Sequence, residues 1–274
     1  MHNNQVISQQ PGVQSFQMAP VITTQPGVSV QPAPGSVWMP MPPPMHGVPT
    51  GLEYLTYLDT IMVHQLKELI EIVTDWETKN KYVLRNANGE QCYYAFEESG
   101  CCERQCCGPN RGFVMHVVDN FKREVLTIKR EFKCCGGGCY GLCACVGCCQ
   151  QECVIETPSM GVVGSIRQRC GFFSSCFDIH DADGNLVFQI DGPCCCALMG
   201  CNDKEFPIKT TNNEVVGAII KKWGGCFREA FTDADTFSVN FPLDLDVKLK
   251  AVLLGATFLI DFMEFEKPSQ NRNA

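Results

Sequence analysis

A dense run of cysteines is the part of this sequence whose residues have the clearest chemistry. Between Cys134 and Cys153, eight of the chain's 20 cysteines lie among glycines and small apolar residues. Such a run suits a disulfide framework, a metal site or covalent modification. The N-terminus lacks a basic start followed by an apolar run, so no secretory signal is expected and the thiols are predicted to stay reduced. Disulfides are therefore disfavoured.

Metal binding and S-acylation compete for the same thiols. Cys145 and Cys148 form a CxxC pair, and Cys135, Cys139 and Cys143 precede it at four-residue steps. A structural zinc site uses about four ligands, usually as two separated pairs, so the surplus here does not resemble one. Acyl chains on cysteines attach proteins to membranes, and the attachment is firm when two or more chains are present. We favour acylation and keep zinc as the alternative.

A second candidate for metal chemistry is the twelve-residue segment Asp233 to Asp244, DADTFSVNFPLD. Ca²⁺ takes about six to eight oxygen ligands, and an EF-hand loop has glycine at its sixth position and glutamate at its twelfth. This segment has Ser238 and Asp244 there. Its alternating apolar residues are typical of a β-strand, and its Asp-Ala-Asp start resembles the turn segment Asp181 to Asp183. The residues alone favour a turn and a strand over a calcium loop.

Composition excludes several function classes. The net charge is −8, so neither a dedicated nucleic-acid binder nor attachment to an anionic membrane by charge alone is expected. The sequence has no glycine-rich phosphate loop, HExxH or GxSxG motif, and no residue is predicted to be catalytic. The function is then expected to depend on binding, attachment or transport rather than on covalent catalysis.

The chain divides into a tail and one folded domain. Residues 1–50 contain no Lys, Arg, Asp or Glu and are rich in Pro and Gln, which predicts a disordered tail with polyproline II character. Its Pro40 to Pro43 segment fits a loose PxxP ligand for SH3 or WW-type domains, or a plain spacer. Residues 51–267 are predicted to fold, and a short polar tail follows over 268–274.

The residues before the C-terminal segment favour a mainly β domain. Short runs of β-branched and aromatic residues alternate with turn residues, which gives about a dozen candidate strands. Two pairs of segments are similar: 82–96 resembles 177–190, and 154–166 resembles 206–219. Each has the pattern of a hairpin. Repeated hairpins favour a sheet that closes into a barrel and leaves no edge strand.

The C-terminal segment is predicted to be a helix over about 246–265, capped by Asp244 or Asp246. Its residues 251–260 are apolar on every side, so the helix must be surrounded by bilayer or by protein. A bilayer span needs about 20 apolar residues, whereas here Lys250 and Asp261 bracket ten. We therefore expect a helix buried inside the barrel, with a spanning helix as the alternative.

Three stretches of the chain resemble the phospholipid scramblase family. They are GLEYL from Gly51, the cysteine-rich segment, and REAFTDADTFSVNFPLDLDVKLKAVLLGATFLIDFMEFE from Arg228. The resemblance implies a closed twelve-stranded antiparallel barrel around a hydrophobic C-terminal helix, as in tubby-like proteins. It also implies Ca²⁺-dependent, ATP-independent movement of phospholipids in both directions between bilayer leaflets.

The resemblance also implies two sets of site residues. The sequence departs from the family by having CACVGCC where a denser Cys-Pro run is usual, and by extra cysteines before it. The EF-hand-like segment lacks the usual glycine and glutamate, so a weak Ca²⁺ site is expected. Palmitate is expected on Cys143, Cys145, Cys148 and Cys149, and Ca²⁺ ligands are expected at Asp233, Asp235, Phe237, Val239, Phe241 and Asp244.

Two functions of different class follow. The first is phospholipid scrambling at the cytoplasmic face of the plasma membrane, by a homo-oligomer, because one short helix gives lipid headgroups no polar path through hydrocarbon. The second is a palmitoylated membrane-surface adaptor whose Pro-rich tail recruits partners. The segment Lys221 to Trp223 resembles a non-standard nuclear import signal, which implies a nuclear pool of unacylated chain, or it is a solvated strand end.

Overall fold

A computed structural model describes residues 37–66, 80–98, 111–133, 142–171, 173–198, 200–224 and 235–266. Within these residues, twelve strands form a closed antiparallel barrel in which each strand pairs with its neighbours in sequence and the first pairs with the last. The barrel confirms the predicted fold class. The strands are β1 Thr60–Leu66, β2 Lys81–Arg85, β3 Gln91–Glu98, β4 Phe113–Val118, β5 Glu124–Arg130, β6 Glu152–Thr157, β7 Gly161–Arg169, β8 Ser174–Asp181, β9 Leu186–Cys194, β10 Lys204–Thr210, β11 Val215–Lys221 and β12 Thr236–Asn240.

Tight turns close the predicted hairpins. In the β2–β3 turn, the Asn86 amide donates to the carbonyl of Glu90, and the Gly89 amide donates to that of Asn86. Gly89 lies in the left-handed region, with φ 83°. The β8–β9 turn repeats this pattern around Asp181 and Gly184, whose φ is 82°. A register shift follows each of these turns, as expected when one extra residue enters a hairpin.

The up-and-down order of the strands gives the barrel two different ends. At the hairpin end, short turns join β2 to β3, β4 to β5, β6 to β7, β8 to β9 and β10 to β11. At the connection end, where β5, β7 and β11 finish at Arg130, Arg169 and Lys221, each odd-numbered strand is joined to the next, by a longer segment in every case except the four residues between β7 and β8. The two ends therefore carry different sequences and can have different functions.

The central helix, Val247–Ile260, runs inside the barrel from the hairpin end to the connection end. It begins at Asp246, whose side chain accepts the Lys248 amide at 2.7 Å. All residues from 251 to 260 are buried, and a π-helical turn, Asp261–Phe265, follows. The prediction of a helix enclosed by the barrel is confirmed. Within the described residues, no helix combines the length and the apolar character required to cross a bilayer.

Close packing fixes the central helix against the strands. The Phe258 ring meets the Tyr82 ring edge-on, with centroids 5.0 Å apart. At Gly255, an added Cβ would lie 2.8 Å from a side-chain carbon of Ile155, so only glycine lets the helix and β6 approach this closely. Every side of the apolar helix is thus packed against the barrel core.

The described part of the predicted tail, residues 37–50, contacts the barrel. Trp38 forms an isolated parallel bridge with Gln91, and the Met39 amide donates to the Gln91 carbonyl at 2.9 Å. The Trp38 ring also meets Tyr94 edge-on at 5.8 Å. Backbone pairing and aromatic contact hold this stretch in place although it has no charged residue and no apolar periodicity.

Candidate functional site

The cysteine-rich connection between β5 and β6 lies at the connection end. Its described part includes a short 3₁₀ turn, Leu142–Cys145, and continues to β6. Cys148 is exposed and Cys149 is buried, with their sulfurs 3.8 Å apart. Of Cys143 only the backbone is described. No group of three or more His, Cys, Asp or Glu side chains suited to a metal ion occurs among the residues the structure describes.

One predicted palmitoylation site is bonded to another cysteine. Cys145 forms a disulfide with Cys170, which is 25 residues away in the connection between β7 and β8. The prediction that the thiols stay reduced is therefore wrong at this pair. The physical reason is proximity: Gln150 donates to the carbonyl of Gln168 at 2.7 Å and brings the two connections together. A sulfur in this bond cannot form a thioester until the bond is reduced.

A buried arginine anchors the connection from inside the barrel. The guanidinium of Arg130 donates twice to the Gln151 side-chain oxygen, at 3.0 and 2.7 Å. Its pKa is lowered, chiefly because burial disfavours the charged form. Gln151 in turn accepts the Gln168 amide at 2.8 Å through its carbonyl. The strand-proximal part of the connection is thus held firmly, while Cys148 faces solvent.

Asp235, the first described member of the calcium set, also lies at the connection end. Its carboxylate accepts from Lys221 at 2.7 Å, and its carbonyl accepts the Gln65 amide at 2.8 Å. Asp233 falls outside the described residues. Asp235 does not lie with the hairpin turns that its segment resembles in sequence, because those turns are at the opposite end of the barrel.

The middle of the calcium set is a strand, as its alternation predicted. Phe237 and Val239 belong to β12 and pair with Val63 and Ile61 of β1, while β11 pairs with the other edge. Their side chains are buried in the barrel core, and so is that of Phe241. Because β12 is paired on both sides, its carbonyls are engaged in the sheet. They do not form a ring of ligands around an ion.

Asp244, the last member, is exposed at the hairpin end beyond β12. A strand rises about 3.3 Å per residue, so the five residues of β12 place Asp235 and Asp244 roughly 16 Å or more apart. Calcium–oxygen distances are about 2.3–2.6 Å. The structure therefore does not bring the described members of this set to one position.

A buried network of charged side chains lies next to the connection end, and it was not predicted from the sequence. Arg111, whose side chain is 0% exposed, donates to both carboxylate oxygens of Glu97, at 2.6 and 2.9 Å. It also donates to Glu266 at 2.9 Å. Asp261 accepts from the Tyr82 hydroxyl at 2.6 Å. The sequence showed only that Asp261 and Glu266 follow the apolar stretch of the helix closely. Their partners, Tyr82 and Arg111, are far from them in the chain.

Burial changes the titration of Asp261. Loss of hydration, with a smaller contribution from the negative charge of Asp235, raises its pKa to about 7. The hydrogen bond from Tyr82 and the positive charge of Lys221 act in the opposite direction, and Glu266 adds to the rise. The carboxyl group at the end of the helix is thus protonated under mildly acidic conditions, which reduces the cost of burying it.

This shift predicts a pH-dependent stability. Asp261 has an ordinary pKa of 3.8 and a folded-state pKa of about 7, so between these values the folded chain binds an extra proton. The contribution of Asp261 to the free energy of unfolding must then fall as pH rises from about 4 to about 7, and level off above. We expect Asp261→Asn to remove this contribution, seen as a change in the slope of stability against pH relative to the unmodified chain in urea unfolding across that range. The exposed-turn variant Asp183→Asn should keep it; an unchanged slope in Asp261→Asn would contradict the assignment.

The hairpin end has its own buried charge. The ammonium group of Lys250 donates to the carbonyls of Leu55, Leu58 and Leu243, at 2.9, 2.7 and 2.7 Å. Burial lowers its pKa, while the carboxylates of Asp59 and Asp244 oppose that change. Of the two charges that bracket the apolar stretch in the sequence, Lys250 therefore bonds to backbone carbonyls and Asp261 to a side-chain hydroxyl.

Comparisons with known proteins agree with the family resemblance of the sequence. Residues 39–267 match the family model described as Scramblase. The chain is 45% identical to phospholipid scramblase 1 of Homo sapiens over 235 residues, which cover 85% of this chain and 71% of that protein. It is 41% identical to phospholipid scramblase 2 of Homo sapiens over 264 residues, covering 94% and 85%. No solved structure matches the chain. This chain belongs to the phospholipid scramblase family.

Proposed function

We propose that this chain moves phospholipids in both directions between the leaflets of a bilayer, dependent on Ca²⁺ and independent of ATP. The observation that carries the proposal is the family match over residues 39–267, together with relatives named phospholipid scramblases at 41–45% identity. The ion dependence and the ATP independence follow the resemblance of the C-terminal block. The substrate is the membrane phospholipid itself, and no covalent bond is made or broken.

Thioester-linked palmitate is the proposed attachment to the cytoplasmic face of the plasma membrane. Cys148 is exposed on the connection that the resemblance assigns to palmitoylation. Each buried methylene contributes about 0.8 kcal/mol, so one chain binds reversibly and two or more hold the protein firmly. Acyl chains of this kind supply the attraction to an anionic membrane surface that a chain with a net charge of −8 lacks.

The enclosed helix constrains how lipids cross. Its apolar residues from 251 to 260 are buried in the barrel, so they are already in contact with protein. A headgroup needs a polar surface to pass hydrocarbon. We therefore assign that surface to an assembly of several copies, with the barrel exterior rather than the helix facing the lipid.

The reconstituted protein provides the test of this function. Vesicles containing a labelled phospholipid and the purified chain are treated with dithionite, which reaches only the outer leaflet. We expect loss of more than about half of the label when Ca²⁺ is added, without ATP and with vesicles that remain sealed. Loss limited to about half, with or without Ca²⁺, would contradict scrambling by this chain.

Calcium is proposed to act at the connection end, where Asp235 is paired with Lys221 at 2.7 Å. Binding there competes with the lysine, so affinity should be weak, with a Kd on the order of 10⁻⁴–10⁻³ M. We expect Asp233→Ala and Asp235→Ala to weaken Ca²⁺ uptake in isothermal titration at least tenfold. Asp244→Ala, at the hairpin end, should leave it unchanged. Equal losses from Asp235→Ala and Asp244→Ala would mean that β12 leaves the barrel when calcium binds.

A membrane-surface adaptor is the second candidate, and one observation favours it. The Pro-rich stretch is displayed on the barrel, with Pro40 and Pro43 exposed while Trp38 and Met39 hold it to β3. A proline segment fixed in this way suits SH3 or WW-type domains. The vesicle experiment separates the two functions, because an adaptor gives no label loss beyond the outer leaflet.

A further inference from the structure

Cysteines gather at one end of the barrel, and more than one connection contributes them. Among the residues the structure describes, Cys92 alone lies at the hairpin end. The others lie in, or next to, the connections that follow β5, β7 and β9. Those at the connection end are Cys143, Cys145, Cys148, Cys149, Cys153, Cys170, Cys176, Cys194, Cys195, Cys196 and Cys201.

The connection between β9 and β10 displays its own pair of thiols. Cys196 and Cys201 are both free and exposed. Cys196 lies on a short helix, Cys195–Leu198, and Cys201 follows shortly after it. Neither residue belongs to the cysteine run that ends at Cys153, because more than forty residues separate them from it along the chain.

A buried lysine holds this connection in one conformation. The ammonium group of Lys204, which is 6% exposed, donates to the carbonyl of Ala197 and to the side-chain oxygen of Asn202, both at 2.6 Å. It also donates to the carbonyl of Gly200. These three bonds join Lys204, the first residue of β10, to the loop that carries the two thiols. The bonds therefore hold this loop against the start of β10. Both thiols are exposed on this loop.

Neighbouring strands place this pair beside the first cysteine group. Ser174 of β8 pairs with Cys194 of β9, and Cys170, which is bonded to Cys145, lies just before Ser174 in the chain. The cysteines of the β5–β6, β7–β8 and β9–β10 connections therefore lie at the same end of the barrel. Three exposed aromatic side chains lie at this end among the described residues, Phe132 at 49%, Phe173 at 59% and Trp223 at 37%. Exposed aromatic rings are favoured at the interface between water and bilayer.

We propose that the β9–β10 connection is a second S-acylation site, at Cys196 and Cys201, and that the connection end faces the bilayer. The sulfur attacks the carbonyl carbon of an acyl thioester donor. A new carbon–sulfur bond forms, the bond from that carbon to the donor sulfur breaks, and the donor leaves as a free thiol that takes the cysteine proton. No oxidation or reduction occurs in this exchange. The proposal rests on the thioester attachment in the proposed function.

The described first site alone falls short of firm attachment. Of its four cysteines, Cys145 is in a disulfide, Cys149 is buried, and Cys148 is the one with a described, exposed thiol. A single acyl chain gives marginal, reversible binding, whereas two signals are needed for stable anchoring. Chains on a second connection supply the missing signal. Two attachment points also fix which end of the barrel meets the membrane, which one point would not.

The test counts thioesters on the full-length chain made in cells that contain protein acyltransferases. Free thiols are blocked, thioesters are cleaved with hydroxylamine, and each released thiol receives a polymer tag that adds a fixed mass. One background has Cys143, Cys145, Cys148 and Cys149 replaced by serine, and a second adds Cys196→Ser and Cys201→Ser. Cys92→Ala, at the hairpin end, is the control and should leave the tag count unchanged.

We expect the second background to carry two fewer tags than the first, and a smaller membrane-bound fraction after flotation. Equal tag counts in the two backgrounds would overturn the second site while leaving attachment through the first intact. Absence of tags from the unmodified chain would instead overturn thioester attachment itself, and with it the membrane part of the proposed function. The three results are distinguishable on one gel.

Discussion

Replacing Arg111 by methionine is expected to lower the free energy of unfolding by about 3–5 kcal/mol. The guanidinium is fully buried and is the cation between Glu97 and Glu266, so its removal leaves carboxylates without their positive partner. It also packs over the Phe262 ring at 4.8 Å, which ties the strands to the helical end of the chain. Urea unfolding of the purified chain, followed by circular dichroism, measures the change.

An exposed ion pair provides the matched control. Arg167 pairs with Glu152 at 2.8 Å, with the two side chains 47% and 36% exposed. Pairs of this kind contribute about 0–1 kcal/mol, so Arg167→Met should change stability by no more than that. Similar small losses in Arg111→Met and Arg167→Met would show that the buried network does not hold the helix end to the barrel.

The second large effect is expected from Phe258→Ala, which should cost about 3–5 kcal/mol because the side chain is fully buried. The ring fills the space between the central helix and β2 and meets Tyr82 at 5.0 Å. Its loss leaves a cavity that the closed sheet cannot readily fill, because twelve paired strands limit how far the wall can move. Urea unfolding without any membrane present measures this loss.

Phe173→Ala is the control of identical chemistry. Phe173 is 59% exposed at the connection end, and its truncation should change stability in solution by less than about 0.5 kcal/mol. A Phe258→Ala variant as stable in water as the unmodified chain would mean that the helix does not pack inside the barrel there. The helix would then be free to enter a bilayer, and the proposed route for lipids would have to be rebuilt around it.

Local pattern was enough to predict most of the fold. The hairpin turns at Asn86 and Asp181 use short polar side chains and a following glycine, and such turns have a strong local signature. The apolar helix could also be placed, because ten residues bracketed by charge suit a protein interior better than a bilayer. Closure of the barrel followed from the repetition of hairpins, since an open sheet would leave two exposed edges.

The arrangement of the site was harder to predict, because it depends on contacts distant in sequence. Asp261 meets Tyr82 across 179 residues, and no local pattern marks either as a partner. Cys145 and Cys170 meet only because two connections fold over the same end of the barrel. The calcium segment shows the opposite case: a strand pattern that was visible locally places Asp235 far from Asp244.

The two ends of the barrel divide the candidate functions. The exposed thiols, the exposed rings of Phe132, Phe173 and Trp223, and the Asp235–Lys221 pair lie at the connection end, whereas the exposed ring of Tyr57 lies at the hairpin end. The same end holds the buried Asp261, which links the helix to the strand β2. The proposed membrane attachment, the proposed calcium site and the end of the central helix therefore lie at the same end of the barrel.

A photo-crosslinking measurement on the acylated, membrane-bound chain tests the central claim most directly. That claim is that the helix stays inside the barrel while the connection end meets the lipid. A para-azidophenylalanine is placed at position 258 or at position 173, and the irradiated products are mapped by mass spectrometry. We expect position 258 to crosslink to the strand segment around Tyr82 and position 173 to crosslink to phospholipid. Crosslinks from position 258 to lipid acyl chains would contradict it.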